Sequence, residues 1–133
     1  MQNNTASVTI TDDIKVEVFP EYLPEQSEPE KNRYFFSYRV LITNLSNKSV
    51  RLISRHWIII NADGDREDVE GPGVVGYLPE LNPGESFEYS SSCPMDTEWG
   101  TMEGTYTFMR EDGEKFKAKI GRFYLVSSKV TAE

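Results

Sequence analysis

Apolar and polar residues alternate at every second position along much of this chain, and no long amphipathic helical pattern interrupts them. Successive side chains of an extended strand point to opposite faces, so this alternation describes half-buried strands. In SVTITDDIKVEVF, Val8, Ile10, Ile14, Val16 and Val18 fall on one face of a single extended segment. In RYFFSYRVLITNL, Tyr34, Phe36, Tyr38, Val40 and Ile42 do the same. β-Branched and aromatic residues dominate both, as a pleated, half-buried surface prefers. RLISRHWIIINA is apolar on both faces near its end, which predicts a central, covered strand. REDVEG is short and polar, which predicts an edge. SFEYSS, GTYTFMR and KFKAKIGRFYLV complete a set of roughly seven antiparallel strands.

The connections carry turn chemistry. Asn44 to Lys48 separates the second and third strands, and Asn82-Pro83-Gly84 is a further turn. Asp63-Gly64 and Asp112-Gly113 are hairpin signals, because Asp and Gly tolerate positive φ. Short strands so punctuated predict an all-β, immunoglobulin-like or fibronectin type III-like β-sandwich. Trp57 on the third strand fits that fold, and Tyr106 early in the sixth predicts a tyrosine corner bonded to nearby backbone. The apolar phase of the last strand slips from Phe116, Ala118 and Ile120 to Phe123 and Leu125, which predicts a β-bulge at Gly121. Glu21 to Asn32, with two prolines and four glutamates, reads as an exposed loop within the domain. The terminal SSKVTAE is expected to fray.

The sequence of 133 residues reads as one domain over residues 1–133, with its core at residues 8–126. It carries a net charge of −8, which opposes binding to phosphate backbones. The densest basic stretch, KFKAKIGR, alternates lysines with apolar residues and reads as a strand with a wet lysine face. No apolar run approaches the ~20 residues of a membrane helix. MQNNTASVTI lacks the basic and apolar regions of a signal peptide, so a cytoplasmic location is expected. With Cys93 and His56 each the sole residue of its type, an internal disulfide, a multi-cysteine zinc site within one chain and H-E-x-x-H are ruled out.

Gly71 to Gly76, GPGVVG, fits the G-x-G-x-x-G spacing of dinucleotide-binding loops. That fingerprint must lead into a helix whose N-terminus faces the pyrophosphate. Here YLPELNPGES follows, and Pro79 and Pro83 obstruct such a helix. The favoured reading is a loop crossing between sheets. Gly71, Gly73 and Gly76 then supply positive φ or close packing, while Val74 and Val75 plug the edge of the core. An anion-binding nest of backbone N–H groups, assisted by Arg55 or Arg66, is the alternative.

Other candidates for chemistry are weaker. Ser54 and His56 face the same way on one strand, without a visible orienting carboxylate or oxyanion hole. Cys93 reads as a buried or inert thiol. Asp63, Asp65, Glu67, Asp68 and Glu70 form the densest acidic cluster, and alternation divides them between two faces. They read as a solvated hairpin, with Asp63 and Asp65 as weak candidates for a divalent cation.

Several motifs in order give a resemblance. Arg55 and Trp57 form R-x-W; Val69, Gly71, Gly73, Val74, Val75 and Gly76 follow; then come Pro83, Gly84 and Glu85. Gly100, Thr101, Met102, Gly104 and Tyr106 complete G-T-M-x-G-x-Y. Over about residues 8–126 the chain resembles the ApaG family, also called DUF525, although its glutamate-rich first loop is longer than that pattern. The resemblance implies a fold similar to fibronectin type III domains. It also implies a link to cobalt resistance and magnesium efflux, and genes beside a diadenosine tetraphosphate hydrolase. Eukaryotic relatives, in an F-box protein and a DNA-polymerase-interacting protein, look like protein-interaction modules. The family supplies no catalytic residues to carry over.

The expectation is therefore a non-enzymatic module without a cofactor that binds another, unidentified protein. Gly71, Gly73, Gly76, Arg55, Arg66 and Tyr77 form the candidate surface. A phosphate or diadenosine polyphosphate sensor, and a weak divalent-cation binder, are the alternatives. Neither nucleic acid nor membrane is expected as a partner, and a homodimer through strand addition is open.

Overall fold

The computed structural model describes residues 6–127. These form nine strands: β1 (Ser7–Thr11), β2 (Ile14–Tyr22), β3 (Tyr34–Asn44), β4 (Val50–Asn61), β5 (Arg66–Pro72), β6 (Glu80–Leu81), β7 (Ser86–Met95), β8 (Trp99–Arg110) and β9 (Lys115–Val126). One antiparallel sheet has the order β1-β2-β3-β7. The other has the order β5-β4-β8-β9, with β6 also paired to β4. Two antiparallel sheets packed face to face make the expected β-sandwich. Part of the fraying segment, residues 128–133, lies outside the described residues.

The count exceeds the expected seven because the first stretch folds back on itself and β6 was not foreseen. Asp12 and Asp13 take φ of 48° and 64°. They form a two-residue hairpin turn that pairs Thr11 with Ile14 and Ile10 with Lys15. The turn reverses the parity of the side chains. Ile14, Val16 and Val18 are fully buried, whereas Val8 and Ile10, expected on the same face, are each 57% exposed. β1 instead lies against β9: the Lys119 N–H donates to Thr11 Oγ1 at 3.2 Å.

The remaining strands follow their patterns. β3 buries Phe36, Tyr38, Val40 and Ile42, while β9 buries Ala118, Ile120, Phe123 and Leu125. Each of the buried Val, Ile, Leu and Phe side chains contributes about 1.5–3 kcal/mol relative to exposure. The bulge is where the phase slip placed it. β9 pairs Ile120 with Gly104 but Phe123 with Met102, so Gly121 and Arg122 together oppose Glu103. Thr9 Oγ1 occupies the space that a Cβ on Gly121 would need. A second irregularity, at Ile53 between Leu52 and Ser54, was not expected.

Trp57 sits at the centre of the core, on the fourth strand once the first hairpin is counted. Its ring meets Tyr38, Phe123 and Tyr106 at centroid distances of 5.3, 5.8 and 6.3 Å. Tyr106 does not close a tyrosine corner onto backbone. Its hydroxyl bonds the hydroxyl of Tyr89, on β7 of the opposite sheet. Burial pushes the pKa of both phenols up. The loop between β2 and β3 forms two short 3-10 turns, Pro24–Gln26 and Pro29–Lys31, and buries none of their residues.

Candidate functional site

The glycine-rich run leaves edge strand β5 and crosses towards β7. Gly71 remains in register on β5, opposite Arg55. The Arg55 guanidinium folds over it, and a Cβ on Gly71 would lie 3.1 Å from Nη2. Arg55 Nη1 donates to the carbonyl oxygens of Pro72 at 2.8 Å and Gly73 at 3.0 Å. Gly73 has φ of 59°, and a Cβ there would strike the carbonyl oxygen of Tyr77. The Gly73 N–H donates to Ile53 O at 2.9 Å.

Val74 and Tyr77 then exchange two backbone hydrogen bonds, of 2.9 and 2.8 Å, around a turn with Val75 and Gly76 at its tip. Both tip residues have positive φ, 39° and 87°. This is the geometry of a two-residue hairpin turn. Glycine suits it, but a β-branched valine is strained there. Val74 is fully buried, as expected of a plug. Val75 is not a plug, because the turn lifts its side chain into solvent.

The crossing is fastened beyond the turn as well. Arg51 Nη1 donates to Leu78 O at 2.8 Å, and the Leu52 N–H donates to Pro79 O at 3.0 Å. The Tyr77 ring packs on Phe87 of β7, with centroids 6.0 Å apart. Between these anchors, Val75, Tyr77 and Leu78 remain 47%, 61% and 48% exposed. Three exposed apolar side chains on one ordered loop form the apolar patch of this site. Of them, Val75 and Leu78 were not foreseen as surface residues. The sign of φ at Val75 decides its exposure, and composition carries no trace of it.

The candidate arginines do not converge. Arg66 pairs with Ile60, five positions from the Arg55–Gly71 pair, or roughly 17 Å at the strand rise. It engages Asp68 with two bonds, Nε to Oδ1 at 2.7 Å and Nη2 to Oδ2 at 3.0 Å. The loop presents carbonyl oxygens, not N–H groups, to Arg55. The N–H groups of Gly73 and Val74 are themselves spent on carbonyls.

The Arg66 guanidinium holds the Asp68 carboxyl well below the usual carboxylate range, with His56 assisting. His56 Nε2 lies 2.8 Å from Asp68 Oδ2 and 3.6 Å from Glu70 Oε2. An orienting carboxylate therefore does face His56, contrary to the sequence reading. The β4–β5 register supplies it, setting Asp68 opposite Ile58. The hydrogen bond of the His56 ring goes to Asp68, not to the Ser54 side chain. Cys93 is buried, and burial pushes its thiol up to about 11.

Asp63 and Asp65 serve the β4–β5 turn. Both backbone N–H groups donate to Asn61 Oδ1, at 2.9 and 3.0 Å. Among the described residues, no group of three or more His, Cys, Asp or Glu side chains is arranged to hold a metal ion. No helix there is long and apolar enough to cross a membrane.

Comparison with known proteins agrees with this architecture. The family model of the ApaG domain, DUF525, matches residues 24–110. A protein ApaG of Allorhizobium ampelinum is 53% identical over 116 residues, covering 87% of this chain and 89% of that protein. A protein ApaG of Sinorhizobium fredii is 49% identical over 118 residues, covering 89% and 91%. A crystal structure from Bordetella pertussis, described as an ApaA protein, superposes with a TM-score of 0.86 at 45% identity, covering 92% of this chain and 99% of that one. The chain belongs to the ApaG family.

Proposed function

We propose that this protein is a non-enzymatic binding module whose partner is another protein, held by the loop surface of Val75, Tyr77 and Leu78. One observation carries the reading: these side chains stay exposed on a loop fastened at both ends by Arg55, Arg51 and Phe87. An ordered apolar patch loses little conformational freedom on association, which favours binding. Loops on a rigid sandwich are a common place for recognition. In this reading binding requires neither a nucleophile nor a cofactor. In this reading the protein works in the cytoplasm, and any link to cobalt resistance or magnesium efflux runs through the partner.

The phosphate-sensor reading has less support, because the loop turns carbonyls towards Arg55 and the second arginine is distant. The cation reading has less as well, because Asp63 and Asp65 shape a turn.

The test is quantitative affinity capture from native lysate, with wild-type and Tyr77→Ala proteins as bait. At least one protein should be retained by the wild type and lost with Tyr77→Ala, while Tyr77→Ala remains fully folded at the temperature of capture despite losing its Phe87 contact. Identical sets on both baits would remove the loop as the binding surface.

A further inference from the structure

A second surface lies along the outer edge of β7. Sheet edges expose unpaired backbone groups, and proteins defend them with charge, proline or cover. Three of the four edges here are defended. β5 carries Arg66, Asp68 and Glu70 outward and ends in Pro72. β1 and β9 cover each other through Thr9, Thr11, Lys119 and Gly121. β7 is different: ten residues, SFEYSSSCPM, hold a single charge, at Glu88. It ends its sheet, with β3 on one side and no strand on the other among the described residues.

The direction of its free groups follows from register. The Asn44 N–H donates to Glu85 O at 3.0 Å, one step beyond the Thr43–Ser86 pair. Antiparallel pairs alternate between bonded and non-bonded. Phe87, Tyr89, Ser91 and Cys93 therefore bond to β3, and Glu88, Ser90 and Ser92 turn their N–H and C=O groups outward. Pro94, which has no N–H, falls in the outward set, where β3 needs no donor. Glu88, Ser90 and Ser92 are all exposed.

At the C-terminal end of this edge, against Pro94 and Met95, is a groove of about 260 Å³ that β5 borders with Asp65, Arg66 and Glu67 nearby and that Asp96 closes. Its one basic lining residue, Arg66, is already engaged with Asp68. A strand added to β7 that runs past Ser92 would bring the inward-facing side chains at that end towards these three carboxylates.

We propose that the β7 edge is a docking site for an extended, basic segment of a partner protein. The segment adds as a fifth strand to the β1-β2-β3-β7 sheet. Its backbone bonds Glu88, Ser90 and Ser92, while Lys or Arg side chains at the end beside Pro94 and Met95 meet Asp65, Glu67 and Asp96. Strand addition of this kind takes affinity from main-chain bonds and selectivity from alternate side chains. The net charge of −8 draws a basic segment in and opposes a second copy of the chain.

The experiment pans displayed random peptides against the whole protein and measures the enriched peptides by fluorescence anisotropy. Enriched sequences should carry Lys or Arg towards the end that lies beside Pro94 and Met95 and protect the Glu88, Ser90 and Ser92 amides from hydrogen exchange. Ser90→Pro removes an outward N–H without touching the β3 ladder and should weaken binding by at least about tenfold. Methylating alternate backbone nitrogens of the peptide should do the same with the protein unaltered, which covers a Ser90→Pro variant that fails to fold. Glu67→Lys should weaken binding several-fold, and Val75→Asn at the tip of the loop should leave it unchanged, so the loop surface and this edge fail separately. No enrichment, enriched peptides without basic residues, or equal binding to Ser90→Pro would overturn the proposal. Concentration-dependent protection of these amides without peptide would show a second copy on the edge and overturn it too.

Discussion

The guanidinium of Arg55 donates to the carbonyl oxygen of Gly73 at 3.0 Å, and through it β4 holds the glycine-rich crossing closed. A run spaced like a phosphate cradle is built here around a cation of the protein itself. Gly71 leaves room for that cation, Gly73 lets the chain turn beneath it, and Gly76 completes the turn beyond.

The three glycines should differ in their tolerance of a side chain. Gly73→Ala drives a methyl group into the Tyr77 carbonyl at positive φ and should cost about 3 kcal/mol or more. Gly76→Asn has open space and a residue tolerant of positive φ, so it should cost less than about 1 kcal/mol. Urea unfolding of both variants checks the order, and equal losses would contradict it.

Val75 is strained and exposed, a combination with no folding benefit. Val75→Asn should raise stability by about 1 kcal/mol by relieving its positive φ. The same substitution should weaken partner capture, since it removes an apolar side chain from the proposed surface. Unfolding and capture on one variant test both halves, and a destabilised Val75→Asn would contradict the strain.

The buried hydroxyl pair of Tyr89 and Tyr106 links the two sheets. Tyr106→Phe leaves the Tyr89 hydroxyl buried without that partner and should cost about 1–3 kcal/mol. Replacing both by Phe should cost less than the two single changes summed, because no orphaned hydroxyl remains. A double-mutant cycle with zero coupling would contradict this.

Asp68 gives a pH signature. Its folded pKa is lowered, first by Arg66 and then by His56. Its stabilisation is therefore present above the ordinary carboxylate range and lost as pH falls through that range towards the lowered folded value. Asp68→Asn should be less stable than wild type near neutral pH, with the gap closing in acid. The gap should also shrink in high salt, because the pair is exposed. A gap independent of pH would assign the loss to packing.

Much of the sandwich is legible in residue order. In β3, β8 and β9 alternation identifies the buried face, and the slip at Gly121 locates the bulge. The hairpin at Asp12-Asp13 escapes the same reasoning. A straight strand would set Val8, Ile10, Ile14 and Val16 on one face, and the apolar spacing does not register that a two-residue turn has reversed it. At the site, the glycines and Arg55 are legible because their residue types are unusual for a strand end. The partnership of His56 with Asp68, and the exposure of Val75 and Leu78, depend on hairpin register and on one backbone angle. Neither follows from residue types alone.

The most direct measurement is an amide-resolved NMR titration of the wild-type protein with pyrophosphate, ATP and diadenosine tetraphosphate, alongside thermal unfolding. A ligand confined to the folded state adds about 2.7 kcal/mol at 100 times its dissociation constant, which such unfolding resolves. If the crossing is a clamp closed on Arg55, the Gly73 to Tyr77 amides and the thermal midpoint stay unchanged at millimolar ligand. A saturable shift of the Val75 and Gly76 amides, lost in Gly73→Ala and accompanied by stabilisation, would show an anion cradle and contradict the account.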